Sequence, residues 1–110
     1  MDEYFNPARI LELTKQLVRI PSITGSSAEN KASAFIHAFF SGLAYYKNAP
    51  QNLMLFPVDA MGRLAVMAFV EAGQETSKTV LFNGHVDVVD TDVCGALSPV
   101  AFDADAYTQR

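Results

Sequence analysis

Thr79 to Asp90 reads Thr-Val-Leu-Phe-Asn-Gly-His-Val-Asp-Val-Val-Asp, and few folds accommodate such a stretch. Val80, Leu81 and Phe82 are apolar without alternation, the pattern of a strand covered on both faces in the middle of an α/β sheet. Asn83-Gly84 then relaxes the backbone, and His85 follows in the region beyond a strand's carboxyl end, where ligands gather in open α/β sheets. If the chain stays extended through Val86, the two-residue period sends His85 and Asp87 to one side and Val86 and Val88 to the other. The expectation is a central strand whose far end carries chemistry on one face and packing on the other.

Neutral imidazole is a good zinc ligand, and a nearby carboxylate fixes its tautomer or holds a water. The pair alone leaves a plainer reading open, in which His85 is a hydrogen-bonded structural residue. Asp90 and Asp92 are close enough in sequence to be weighed as oxygen ligands, but after a strand they are good turn-formers. His37 recurs with Ser33 and Ser41 every four residues, opposite an apolar stripe, and is read as a solvent-facing histidine with no second ligand on its face.

The rest of the chain supplies elements to surround the strand. Asn6-Pro7 is a helix start, with Asn as N-cap and Pro at the first helical position, and Ile10, Leu13 and Leu17 continue a helix as far as Ile20, before Pro21. Ser22 to Ser26 is a polar loop. Ser26 and Glu29 fit a capping box for a second helix, Ser27 to Gly42. Its stripe of Ala32, Phe35, Ile36, Phe39, Phe40 and Leu43 is the clearest periodicity in the chain.

Gly42 to Gln51 reads as a loop. Asn52 to Val58 is an edge strand containing Pro57, and Asp59-Ala60-Met61-Gly62 is a turn in which Asp59 bonds the backbone. Arg63 to Val70 completes a hairpin, and Glu71 to Lys78 is a polar connection. Thr91 to Pro99 reads as a loop, followed by a short helix capped by Asp103 and running through Tyr107.

Half of the 110 residues are hydrophobic, enough for one domain with a modest core. A net charge of −4 argues against a nucleic-acid partner, because no basic stripe exists to displace counterions. Lys15 and Arg19, four apart on the first helix, read as a solvated face. No apolar run reaches membrane-spanning length, and the acidic opening Met1 to Phe5 lacks the positive charge of a signal peptide. Cys94 is the sole cysteine, so a reduced, cytoplasmic setting is expected, and it is not read as a nucleophile.

Phe82-Asn83-Gly84-His85-Val86-Asp87-Val88-Val89 resembles the first metal-binding motif of the co-catalytic zinc exopeptidase and deacylase family. That family includes glutamate carboxypeptidases, aminoacylases, acetylornithine deacetylase and succinyl-diaminopimelate desuccinylase. Leu17-Val18-Arg19-Ile20-Pro21-Ser22-Ile23-Thr24-Gly25 is similar to its opening helix and loop, and Ser27-Ala28-Glu29 to the start of its second helix. Tyr45-Tyr46-Lys47-Asn48-Ala49-Pro50, Gly62-Arg63, Gly95-Ala96-Leu97 and Ala101-Phe102-Asp103 are closer to its arginine-utilisation protein branch.

The resemblance implies an α/β fold, part of a mixed sheet flanked by helices, with residues 1–110 as the amino-terminal portion of a metallohydrolase catalytic domain. It implies that His85 ligates one of two zinc ions and that Asp87 orients it. In the family the ions activate a bridging water and polarise an amide carbonyl. The remaining ligands and the general-base glutamate follow later in the family's chains, so this chain is expected to bind zinc weakly and not to catalyse alone. The family's opening loop is structural, and Ser22 and Thr24 are not expected at the substrate. A small amino-acid derivative or a short peptide is the implied substrate.

Two other readings stay open: a degenerate, non-catalytic binding or assembly module of the same fold, and a plain α/β domain in which His-x-Asp is coincidental. In a fragment, two helices cannot cover both faces of a broken sheet, so an exposed apolar surface and self-association are expected.

Overall fold

A computed structural model describes residues 6–109. The acidic stretch Met1 to Phe5, read above as no leader, lies outside them. The chain is a small α/β protein with helices α1 (Pro7–Val18), α2 (Ala28–Ser41), α3 (Ala44–Asn48) and α4 (Ala104–Thr108) and strands β1 (Leu53–Pro57) and β2 (Leu64–Ala68). It divides into two compact units, Met1–Ala32 with Asp87–Arg110, and Ser33–Val86.

In the first unit α1 starts as its sequence requires. The Asn6 side chain accepts the Ala8 N–H at 2.9 Å, and Pro7 follows where a missing N–H costs nothing. The helix stops two residues before the expected Ile20, and its apolar stripe is only partly covered, with Ile10 51% and Leu11 56% exposed. Lys15, half-buried, donates to Asp105 of α4. Arg19 is exposed and lies 3.8 Å from Glu12. The solvated face expected of Lys15 and Arg19 is therefore halved, because α4 supplies a carboxylate that the sequence of α1 does not announce.

The expected capping box of Ser26 and Glu29 does not form. The helix begins at Ala28, so Glu29 lies in its first turn, and its buried carboxylate takes the Gly25 N–H at 3.1 Å. The Ser26 N–H goes to the Ile23 carbonyl at 2.9 Å. Gly25, at φ +82°, turns the chain so that its own amide meets Glu29, a torsion that glycine adopts without Cβ strain. Further on, Thr91–Val100 is not an open loop but a run of 3-10 turns kinked at Gly95 (φ +55°). Asp103 then caps α4 as expected, accepting the Ala106 N–H at 3.0 Å.

The second unit is built on the β1–β2 hairpin, antiparallel with Leu53 opposite Ala68 and Pro57 opposite Leu64. Its turn is the expected one. Asp59 accepts the Met61 N–H at 3.0 Å and the Arg63 N–H at 3.2 Å, and Gly62 takes the positive φ of +75°. Arg63 adds a side-chain bond to Asp59, and that hydrogen bond holds the Asp59 carboxyl below the usual carboxylate range. The same happens at Asp105 in the first unit, where the Lys15 hydrogen bond is the main cause.

The apolar stripe of α2 is recovered, but its polar side departs from expectation at Ser33 and His37. Phe35, Ile36, Phe39 and Phe40 are half-buried, and Phe40 meets Tyr46 edge-on at 5.6 Å between ring centroids. Ser33, expected on the solvent side, is 1% exposed and donates to the Leu64 carbonyl at 2.8 Å. A short hydroxyl beside a backbone acceptor is what allows the helix to lie close to the hairpin. His37, one turn on, is half-buried rather than solvent-facing.

The segment expected as a loop after Gly42 contains α3 and a 3-10 turn, Pro50–Asn52. Tyr46 of α3 is buried, which pushes its phenol above its ordinary value, with Tyr45 beside it adding to the effect. The Tyr45 hydroxyl receives the Glu71 N–H at 2.9 Å and the Asn52 side-chain amide at 3.0 Å, fastening the far end of the hairpin.

The central strand is the main correction. Thr79 to Val86 has neither strand nor helix, and Val80, Leu81 and Phe82 are 76%, 85% and 92% exposed. The sheet among the described residues is two-stranded and antiparallel, and the one parallel pairing among them is a single bridge between Ile23 and Val88. A central strand needs a neighbour on each edge and cover on each face, and among the described residues β1 and β2 pair with each other and with no third strand. The modest core shrinks accordingly, with Ala32, Tyr46 and Leu53 its buried apolar residues among those described.

Candidate functional site

Asp87 is held by the polar loop after α1. The Thr24 hydroxyl donates to Asp87 Oδ2 at 2.8 Å and lies 3.1 Å from the Val88 carbonyl oxygen. Beneath this contact runs a short parallel ladder. The Thr24 N–H donates to the Val88 carbonyl at 2.9 Å, and the Val88 N–H donates to the Ser22 carbonyl at 3.0 Å. Ser22 is buried and Asp87 half-buried.

The order of residues explains the arrangement. Pro21 ends the helical path, Ile23 takes up the extended conformation needed for the bridge to Val88, and Gly25 turns the chain away toward α2. Thr24 therefore stands beside Asp87 although 63 residues separate them. A carboxylate gripped through one oxygen loses rotation about its Cβ–Cγ bond. It can then orient an imidazole N–H or hold a water in a fixed place.

His85 lies in the other compact unit, exposed, in the stretch without regular structure. The strand end meant to carry both residues is absent, and Asp87 takes its support from the Thr24 loop instead. Asp90 accepts the Asp92 N–H at 3.0 Å and caps the 3-10 turns, the turn-forming role that competed with metal binding. Cys94 is a half-buried free thiol within those turns. Among the described residues no group of three or more His, Cys, Asp or Glu is gathered to hold a metal ion.

Thr24 is the residue that sequence reasoning missed. The signal was available only as a pairing of distant segments, an extended Pro-Ser-Ile-Thr run and a Val-Asp-Val run, each able to donate to the other.

No family model and no solved structure matches the chain. Two curated relatives do. Protein RocB of Bacillus subtilis (strain 168) is 30% identical over 109 residues, which is 96% of this chain and 19% of RocB. The uncharacterized protein YqjN of the same organism is 33% identical over 92 residues, 84% of this chain and 16% of YqjN. The chain spans less than a fifth of the length of either.

Proposed function

From a chain that belongs to the arginine-utilisation branch of the co-catalytic zinc exopeptidase and deacylase family, as the match to RocB bears out, we propose a function. It is the amino-terminal part of a zinc-dependent hydrolase of amide or peptide bonds, acting on an amino-acid derivative or a short peptide. The observation that supports this most is the anchoring of Asp87 by Thr24, which gives the carboxylate of the His-x-Asp pair a fixed place. In this reading His85 ligates metal and Asp87 orients it.

The described residues do not complete a zinc site, since no three ligands converge. In this reading two roles are carried by this chain and the rest by a longer one, so the chain alone is not expected to catalyse. No helix among the described residues is long and apolar enough to cross a membrane. A cytoplasmic setting fits the single cysteine.

The test is a chain of RocB length carrying this segment. His85→Ala is expected to remove bound zinc and activity together, whereas Asp87→Ala lowers activity by about 10- to 100-fold with smaller metal loss. Full activity in both variants would make the motif a coincidence. Zinc held at nanomolar affinity by the 110-residue chain itself, measured by calorimetry, would overturn the division of roles and favour a self-sufficient binding module.

A further inference from the structure

We propose that the free edge of β2 is a docking site for a second copy of this chain. The Thr79 to Asn83 run of each copy adds as a third strand to the β2 edge of the other, and the two chains close on each other reciprocally. The inference stands apart from the hydrolase proposed above, since it uses neither His85 nor Asp87.

The bonds that flank the hairpin ladder fix which backbone groups face outward. The Val58 N–H donates to the Arg63 carbonyl at 2.8 Å and the Phe69 N–H to the Asn52 carbonyl at 2.8 Å, so by alternation Met54 and Phe56 exchange bonds with Met67 and Ala65. Leu53, Leu55 and Pro57 of β1, and Leu64, Val66 and Ala68 of β2, then point their backbone groups away from the ladder. The β1 edge is blunted by Pro57, which has no N–H to offer. On β2 the Leu64 carbonyl takes the Ser33 hydroxyl at 2.8 Å, whereas Val66 and Ala68 have no bond on their outer side among the described residues. Leu64–Ala68 carries neither a charge nor a proline, the usual guards of an edge.

The complementary element lies in the same compact unit. Thr79 to Gly84 makes no hydrogen bond with any described residue, and Val80, Leu81 and Phe82 are exposed. Its own chain steers this run off the open edge. Beyond β2 the Glu71 N–H donates to the Tyr45 hydroxyl at 2.9 Å, and the Asn52 side-chain amide reaches the same hydroxyl at 3.0 Å and Glu71 Oε1 at 3.2 Å. Asn52 immediately precedes β1, so this clasp draws the departing chain to the β1 side of the hairpin and away from the β2 edge.

A second copy brings the missing half of each pairing. Leu64–Ala68 and Thr79 to Asn83 are both uncharged, so identical chains meet there without like-charge repulsion. Two-fold symmetry satisfies two edges and two runs at once. Val80, Leu81 and Phe82 of both copies leave water together with the surface that covers them, on the order of 1,000 Å2 in all, which is the lower bound for a specific interface. The dimer is therefore a weak one.

Cross-linking of the 110-residue chain tests the proposal directly. In a Cys94→Ser background, the double variant Met67→Cys with Leu81→Cys is treated with a short bismaleimide, and the expected product is a covalent dimer that joins position 67 of one copy to position 81 of the other. An internally sealed monomer would put the run on its own edge, and no product at all would leave the edge to some other occupant; either result overturns the proposal. Val66→Pro removes only an outward N–H, so it should raise the dimer dissociation constant at least about tenfold in sedimentation equilibrium while the Ala65 and Met67 amides stay protected from exchange. An unchanged constant with those amides protected also overturns it. Loss of their protection means that the proline has opened the hairpin, and the cross-link then decides.

Discussion

Thr24 with Asp87 and Val80 with Phe82 are two ways for a chain to present an extended segment, and they differ in who completes the hydrogen bonding. The segment at Asp87 is short and polar at one end, and it finds its ladder within the chain, at Ser22 and Thr24. The segment at Val80 is the more strand-like by composition, yet it runs without strand partners and leaves Phe82 92% exposed. High strand propensity did not produce a strand. Propensity describes how well a residue fits a pleated, half-covered surface, and that surface has to be furnished by neighbours. The consequence for the His-x-Asp pair is that Asp87 has scaffolding of its own and His85 is exposed in an irregular stretch.

Association is the largest effect by which this contrast is open to attack. An uncharged, proline-free run such as Thr79 to Asn83 is a template for pairing with another chain, so the protein should self-associate at tens of micromolar. Phe82→Lys should shift it to monomer in size-exclusion chromatography with light scattering. A wild-type monomer that binds no hydrophobic dye would show that the run is covered.

Amide exchange sharpens the same contrast at lower amplitude. The Thr24 and Val88 amides should exchange at least about tenfold more slowly than those of Val80 to Gly84, which should approach unfolded-chain rates. Equal rates in the two segments would erase the distinction.

Acid is the gentlest probe. The Asp59 and Asp105 carboxyls are held below their ordinary value of 3.8 by Arg63 and Lys15, one in each unit. A group with a depressed folded-state value contributes stability that is complete above the unfolded value and is lost as pH falls through the folded one. Denaturant midpoints should therefore be flat down to about pH 4 and decline below it, with the decline reduced in Arg63→Gln and in Lys15→Gln. Both pairs are at the surface, so each change should be small. A decline that is untouched by either variant would assign the acid sensitivity to other carboxylates.

The elements that were legible in the sequence are those closed by near neighbours. Asn6 caps α1 through Ala8, Asp59 closes the hairpin turn through Met61 and Arg63, and Asp103 caps α4 through Ala106, each within four residues. The departures lie where the partner is distant in sequence. Ser33 belongs by periodicity to the polar side of α2 and is buried, where it donates to the Leu64 carbonyl, 31 residues away. Thr24 looked like ordinary loop chemistry because Asp87 is 63 residues distant. Glu29 was assigned the right kind of task, satisfying a free amide before a helix, but Gly25 offered its N–H in place of that of Ser26. Kinship is legible in the motifs that resemble the family, whereas a central strand depends on neighbours that the letters of Val80 to Phe82 do not supply.

Gly25 carries one more consequence. Its φ is +82°, and a Cβ built on it would meet nothing within 4 Å. Room is therefore not what excludes a larger residue there; mirror symmetry is. L-alanine would be strained by torsion in open space, while D-alanine, whose preferred φ is positive, would fit the same backbone and restrict the unfolded chain. The turn that carries Thr24 to Asp87 selects for handedness rather than size, so a single inverted stereocentre is the change that would stiffen it.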